Sequence, residues 1–244
     1  MEQTLQRWRD WRAFFNARKN RPTPWLKRDH DYWRLPPSLA RSLAVFQLGE
    51  SGGGTVVAQA RQSTLPGVSD DYVAALDLFV AEEHRHAHVL ASCVRGMGGP
   101  LLKTNWTNRF FVATRRLMGL RLKIVVQLCA EVVGIVYYRA LAERLPPGHM
   151  RDLLLELAED ERSHLLFHGD FLTSQMRHPL TRLLFRLGWP VLTWAAARAV
   201  AHDHRHALRD LHIGRASILA QWARESERIG EHILETPAPV AHRV

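Results

Sequence analysis

The sequence predicts an all-α fold, and three observations carry that prediction. Over most of the 244 residues the apolar positions recur three and four apart, the spacing of one helix face. The long patterns open at capping residues and close at Gly or Pro. Nothing in the central stretch alternates with the period of a strand. A chain of this length with 46% hydrophobic and 23% charged residues has ordinary globular composition, which excludes disorder, collagen and coiled-coil fibres.

In chain order, the first central helix runs from about Pro37 to Arg61, with Pro36 and Pro37 at its start and Leu39, Leu43, Phe46, Gly53 and Val57 on one face. The second opens at Ser69-Asp70-Asp71, whose side chains can accept from free backbone N–H groups, and closes between Gly96 and Pro100. A connection through Lys103-Thr104-Asn105-Trp106 leads to the third, from about Asn108 to Leu145, where Pro146-Pro147-Gly148 stops it. The fourth covers about His149 to Arg177, and further helical patterns follow near 180–201 and 214–235. This divides the chain into a basic, aromatic arm (1–35), a central helical unit (36–177) and a helical extension (178–244) packed on the core or on a membrane surface.

Two segments have to be weighed as membrane elements. Leu117–Tyr138 is strongly apolar, but Arg121, Lys123, Gln127 and Glu131 interrupt it, which favours a buried helix over a span. Leu183–Ala201 mixes Trp189 and Trp194 with Arg186, Arg198 and Pro190, a composition that suits an extra packed helix or a helix on a membrane surface. The N-terminus is charged throughout with no apolar run, so it does not read as a secretory signal, and the cytoplasm, with a peripheral membrane contact, is the expected location.

Net charge is +9, almost all of it from arginine, since Lys19, Lys27, Lys103 and Lys123 are the only lysines. Such a surface suits an anionic membrane, an acidic redox partner or nucleic acid. Cys93 and Cys129 make no disulfide framework and no CxxC is present.

The four central stripes are interrupted in a repeated way. Glu50 replaces an apolar residue on the first, and Glu83 and His86 lie between Phe79 and Leu90 on the second. Glu131 lies between Gln127 and Gly134 on the third, and Glu161, His164 and His168 between Leu157 and Phe171 on the fourth. Side chains three and four apart share a helix face, so Glu83 projects with His86, and Glu161 with His164, toward the core. Four buried carboxylates do not coexist as bare anions, and divalent cations resolve the conflict. Imidazole and carboxylate donors suit iron or manganese. Chance alone supplies about one ExxH match in a chain with thirteen Glu and fourteen His, so the information lies in the order Glu50, Glu83-x-x-His86, Glu131, Glu161-x-x-His164.

On those residues the chain resembles the ferritin-like di-iron carboxylate proteins, whose pattern is one Glu from each of two helices and ExxH from each of the other two. The resemblance covers roughly residues 36–177. It implies an antiparallel four-helix bundle with a long crossover between helix pairs, and two iron ions (manganese as the alternative) held by Glu50, Glu83, His86, Glu131, Glu161 and His164. Glu82-Glu83-His84-Arg85-His86 and Asp160-Glu161-Arg162-Ser163-His164 look like the (D/E)ExRH motif of di-iron monooxygenases. That match implies that Asp160 orients His86 and Glu82 orients His164, with Arg85 beside them; Arg162 and Ser163 depart from it. The alternative is that these charges are solvated.

Other positions read more openly. Gly49-Glu50-Ser51-Gly52-Gly53-Gly54 puts four Gly in a helix at about 1 kcal/mol each relative to Ala. It suggests space for oxygen or substrate, a local bulge, or close helix packing. Gly53, Gly54 and Gln127 are the candidate substrate-facing residues. His168 is a supporting or merely packed side chain, Tyr138 a redox neighbour or a core Tyr bonded through its hydroxyl, and His202, His204 and His206 a solvated basic stretch.

The function expected is a non-haem di-iron oxygenase that uses O2 to oxidise a small lipophilic or aromatic molecule, with electrons from a ferredoxin or reductase. The alternatives are an iron-binding ferroxidase and a basic hydroxylase acting on tRNA, although nucleic acid is the less favoured partner.

Overall fold

The computed structural model describes residues 2–21, 35–52, 54–106 and 118–235, and among these every regular element is a helix. They are α1 (Glu2–Arg18), α2 (Pro37–Glu50), α3 (Gly54–Arg61), α4 (Asp70–Gly96), α5 (Leu120–Arg144), α6 (His149–Gln175), α7 (Pro179–Asp203), α8 (Arg205–Asp210) and α9 (Arg215–Glu235).

The boundaries follow local chemistry. Ser69 Oγ accepts from the Tyr72 N–H at 3.3 Å, and Asp70 and Asp71 occupy the positive first turn of α4. Gly98, at φ +72°, turns the chain out of that helix in a left-handed conformation that a side chain would oppose. The connection between α5 and α6 is Leu145 to Gly148, as the Pro-Pro-Gly sequence requires. Residues 107–117 lie outside the described residues, and the helix start expected at Asn108 falls there, but Met118 and Gly119 are not helical, so the third helix opens at Leu120 and does not run unbroken from Asn108.

One expected element is corrected. Residues 37–61 do not form one helix: α2 ends at Glu50, Ser51 and Gly52 form a turn, and α3 begins at Gly54. Gly-rich backbone loses more entropy on becoming helical than any other sequence, and here the helix yields at that point.

The core has two apolar parts. Along α4, Phe79 and Val80 belong to one, Val89 and Leu90 to the other, and Glu82, Glu83 and His86 fall between them. Along α6, Leu154 and Leu157 lie on one side of Glu161 and His164, and Phe167 and Phe171 on the other. A buried polar layer therefore separates two hydrophobic cores. α5 is long and apolar enough to cross a membrane, but 83% of its apolar window is buried inside the protein.

The N-terminal helix is part of this core. Trp8 and Phe15 are buried among Tyr72, Phe79 and Phe167, with the Trp8 and Tyr72 rings 4.9 Å apart. Trp11 Nε1 donates to Asp170 at 2.8 Å, and Arg9 and Arg12 pair with Asp71. At the other end of the chain, Trp222 of α9 donates to the Val133 carbonyl of α5 at 3.1 Å, and Trp189 of α7 donates to the Ser226 carbonyl at 2.8 Å.

Candidate metal centre

Four helices bring their interrupting residues together. Glu83 and His86 from α4 and Glu161 and His164 from α6 are all buried, with ligand-type atoms mutually within 4.8 Å. Glu131 from the middle of α5 reaches the same cluster, its Oε2 4.0 Å from His164 Nδ1 and its carboxyl close enough to Glu161 and Glu83 for their charges to raise its pKa. Glu50, the last residue of α2, lies beside Glu83 on the wall of the same cavity and accepts from the Tyr138 hydroxyl at 3.1 Å. The structure thus brings the six residues into one region, with Glu50 and Glu131 beside the four-residue cluster.

The imidazoles show which atoms face inward. His86 Nε2 lies 3.1 Å from Asp160 Oδ2, and His164 Nε2 lies 3.1 Å from Glu82 Oε2. A carboxylate only accepts, so Nε2 of each ring carries the proton and Nδ1 of the neutral ring carries a lone pair. Those lone pairs point into the cluster: His164 Nδ1 is 3.0 Å from Glu83 Oε1, and His86 Nδ1 is 3.2 Å from Glu161 Oε1. Acceptor faces acceptor across both gaps when the rings are neutral; a protonated His164 instead donates from Nδ1 to Glu161 Oε2 at 3.2 Å. Glu83 Oε1, Glu161 Oε1 and His86 Nδ1 accordingly have no hydrogen-bond partner despite being buried. Two ligand atoms about 2.1 Å from one cation and at right angles lie about 3 Å apart, so the donor set fits a divalent ion.

Without a cation, protons take its place, and the pKa shifts show where. Burial raises the pKa of Glu50, and the charges of Glu83 and Glu161 raise it further. Burial likewise raises that of Glu131, reinforced by Glu161 and Glu83. Burial alone would lower the pKa of His164, but hydrogen bonds to Glu161, Glu82 and Glu83 outweigh it and raise the value. A metal and these protons compete for the same atoms.

A second layer of charge surrounds the cluster. Arg85 donates to Glu82 at 3.0 Å and to Asp160 at 2.8 Å. Arg18, at the end of α1, bonds both Glu82 and Asp160, and Arg21 bonds Asp160 at 3.0 Å. Burial by itself would raise the Glu82 pKa, yet the His164 hydrogen bond and the nearby cations hold it at about 2. Glu82 is thereby kept ionised, and Asp160 accepts from three guanidinium groups, those of Arg18, Arg21 and Arg85. Sequence spacing did not reveal Arg18 or Arg21. The available signal was their register: Arg7 and Arg18 are three turns apart on α1, and their partners Asp170 and Asp160 are nearly three turns apart on α6.

The remaining positions divide. Tyr138 bonds Glu50 through its hydroxyl, and its pKa is raised by burial and by that carboxylate. His168 is fully buried against Phe79, with Nε2 3.7 Å from Glu131 Oε1 and neither ring nitrogen hydrogen-bonded. Burial and the nearby His164 lower its pKa to about 3, so it stays neutral. His204 corrects the reading of a solvated basic stretch: it is buried, with Nδ1 2.8 Å from the Ser42 hydroxyl, because the turn between α7 and α8 folds it back against Phe46 and Tyr137.

A cavity of about 140 Å³ adjoins the carboxylates. Glu50, Glu83, Glu131 and Glu161 form one part of its wall, and Val45, Phe46, Val126, Val133, Ala196 and Val200 supply apolar lining. Gln127 and Gly134 also line it, as does Gly49, which the sequence did not single out as substrate-facing. Gly54 opens α3, and Gly53 lies outside the described residues. Nothing in comparisons with protein-family models, curated proteins or solved structures matches the chain.

Proposed function

We propose that this protein is an O2-dependent oxygenase of the ferritin-like di-iron carboxylate type, acting on a small apolar or aromatic molecule. The observation that carries the reading is the convergence of three buried carboxylates, the half-buried Glu50 and two imidazole Nδ1 atoms beside a largely apolar cavity. In this reading α2, α4, α5 and α6 are the four helices of the bundle. Glu50, Glu83, His86, Glu131, Glu161 and His164 hold two ions, iron before manganese. Iron, when bound, supplies the one-electron chemistry by which O2 oxidises an organic substrate, and an external reductase or ferredoxin-like donor renews the electrons.

The chain's own residues have separate tasks. Asp160 and Glu82 orient the imidazoles, and the surrounding arginines hold both carboxyl groups in place. The Tyr138 hydroxyl holds a proton at Glu50 Oε1. Phe46, Val126, Val133 and Val200 exclude water from the space where substrate would sit. That space is close in size to a ~150 Å³ apolar cavity known to hold benzene, which favours an organic substrate over the hydrated cation that a ferroxidase would admit.

Iron per chain after anaerobic Fe(II) loading tests the reading. About two irons are expected in the wild type, and less than half of that in Glu131→Ala, which removes a buried ligand from mid-helix. Substrate-dependent O2 uptake then identifies the reaction. Absence of stoichiometric metal in the wild type would overturn the proposal.

A further inference from the structure

Helix α7 carries an apolar face that nothing among the described residues covers. Leu180, Leu183, Leu184, Leu187, Val191 and Trp194 are 51–66% exposed. At the helical repeat their spacing places all six within an arc about 100° wide and over a length of about 21 Å. The opposite side of the same helix is fastened to the protein through Phe185, Trp189, Thr193, Ala196 and Ala197.

The charge around this face has one sign along its own element. From Phe171 to His202 the chain has no Asp or Glu, and it has Arg177, Arg182, Arg186 and Arg198. Arg182 is engaged with the Leu234 carbonyl of α9, and Arg186 borders a groove that Glu227 and Glu231 of α9 share. Arg177 and Arg198 are exposed and stand beyond the two ends of the apolar stripe. The Arg198 guanidinium lies 4.3 Å over the Trp194 ring, a pairing suited to the boundary between apolar and charged layers.

We infer that α7 is an interfacial helix that docks this protein on an anionic lipid bilayer. The apolar stripe enters the acyl boundary while Arg177 and Arg198 meet the headgroups. A second copy of the chain is a poorer occupant, because self-association through this face brings like-charged guanidinium groups together on a chain of net charge +9. The inner side of α7 supplies Ala196 and Val200 to the cavity beside the carboxylates. Taken with the proposed oxygenase, which this last step rests on, the substrate is a lipophilic molecule taken from the bilayer along α7.

Sedimentation with vesicles, using the full chain in chelator, tests the docking. Vesicles of phosphatidylcholine with about one-third phosphatidylglycerol should bind the protein at least about tenfold more tightly than phosphatidylcholine alone, with the difference shrinking in high salt. The double variant Leu184→Ser/Leu187→Ser should lose about tenfold or more, and Leu180→Gln/Leu183→Gln should do the same independently. Leu155→Ser, at an exposed leucine on α6, should bind as the wild type does. Circular dichroism establishes that each variant is folded. Failure to bind the anionic vesicles, binding unchanged in both α7 variants, or a wild-type dimer that these variants dissociate without any vesicle binding would each overturn the inference. The assay needs neither metal nor O2, so its failure and that of the oxygenase reading are separate results.

Discussion

His204 shows how a single buried imidazole sets a pH dependence. Burial holds its pKa at about 4, with Asp203 opposing the shift, so the ring is neutral in the folded protein down to that pH. In the unfolded chain it protonates near 6.5. Between the two values the unfolded state binds more protons, so the contribution to stability is full above pH 6.5 and is lost as pH falls toward 4. The amount is on the order of 3 kcal/mol. Denaturant unfolding from pH 7.5 to 4.5 should therefore show a shallower loss of stability in His204→Asn, which keeps a polar atom near the Ser42 hydroxyl. Equal slopes in the two proteins would assign the dependence to other groups.

The helix junctions depend on small residues. A Cβ on Gly230 of α9 would lie 2.9 Å from Trp189 Cδ1, and that indole is buried and tied to the Ser226 carbonyl. Gly230→Ala should destabilise the protein by about 1–3 kcal/mol, measured as a shifted urea midpoint at constant slope. Gly134 of α5 is more permissive, since its Cβ would make ordinary contacts with Glu161 and Tyr138 at 3.5–3.6 Å. The elements themselves were largely legible. The stripes containing Glu83, Glu131 and Glu161 gave the helices and their inward faces, because those helices are continuous and strongly periodic. The α2–α3 break was not, since apolar spacing persists across Ser51 and Gly52 while backbone entropy ends the helix. His204 was misplaced for a related reason. A local run of alternating histidines says nothing about a turn that folds one of them under Phe46.

At the scale of the molecule, the charged layer around the centre is assembled from both ends of the sequence. Arg18 and Arg21 come from the N-terminal segment, while Glu82 and Asp160 come from helices far along the chain. Removing residues 1–21 should uncover Phe79 and Phe167, leave Glu82 and Asp160 without two of their cations, and abolish cooperative thermal unfolding or lower its midpoint by ten degrees or more. A truncated chain that melts like the full-length protein would show that α1 is dispensable. This dependence was invisible in the six-residue Glu/His pattern, because tertiary ion pairs leave no fixed interval in sequence.

The Arg18–Asp160 pairing spans 142 residues, and that separation imposes an order on biosynthesis. When α1 leaves the ribosome, the acids that will hold its arginines have not been translated. Glu50, Glu83 and Glu131 emerge next, before Glu161 and His164 exist to complete their surroundings. Until then the nascent chain exposes carboxylates with no shared interior, and any cation it meets is held only loosely. Under the proposed function, capture of metal therefore belongs to the last stage of maturation, after α6 has been synthesised and the N-terminal helix has closed over it.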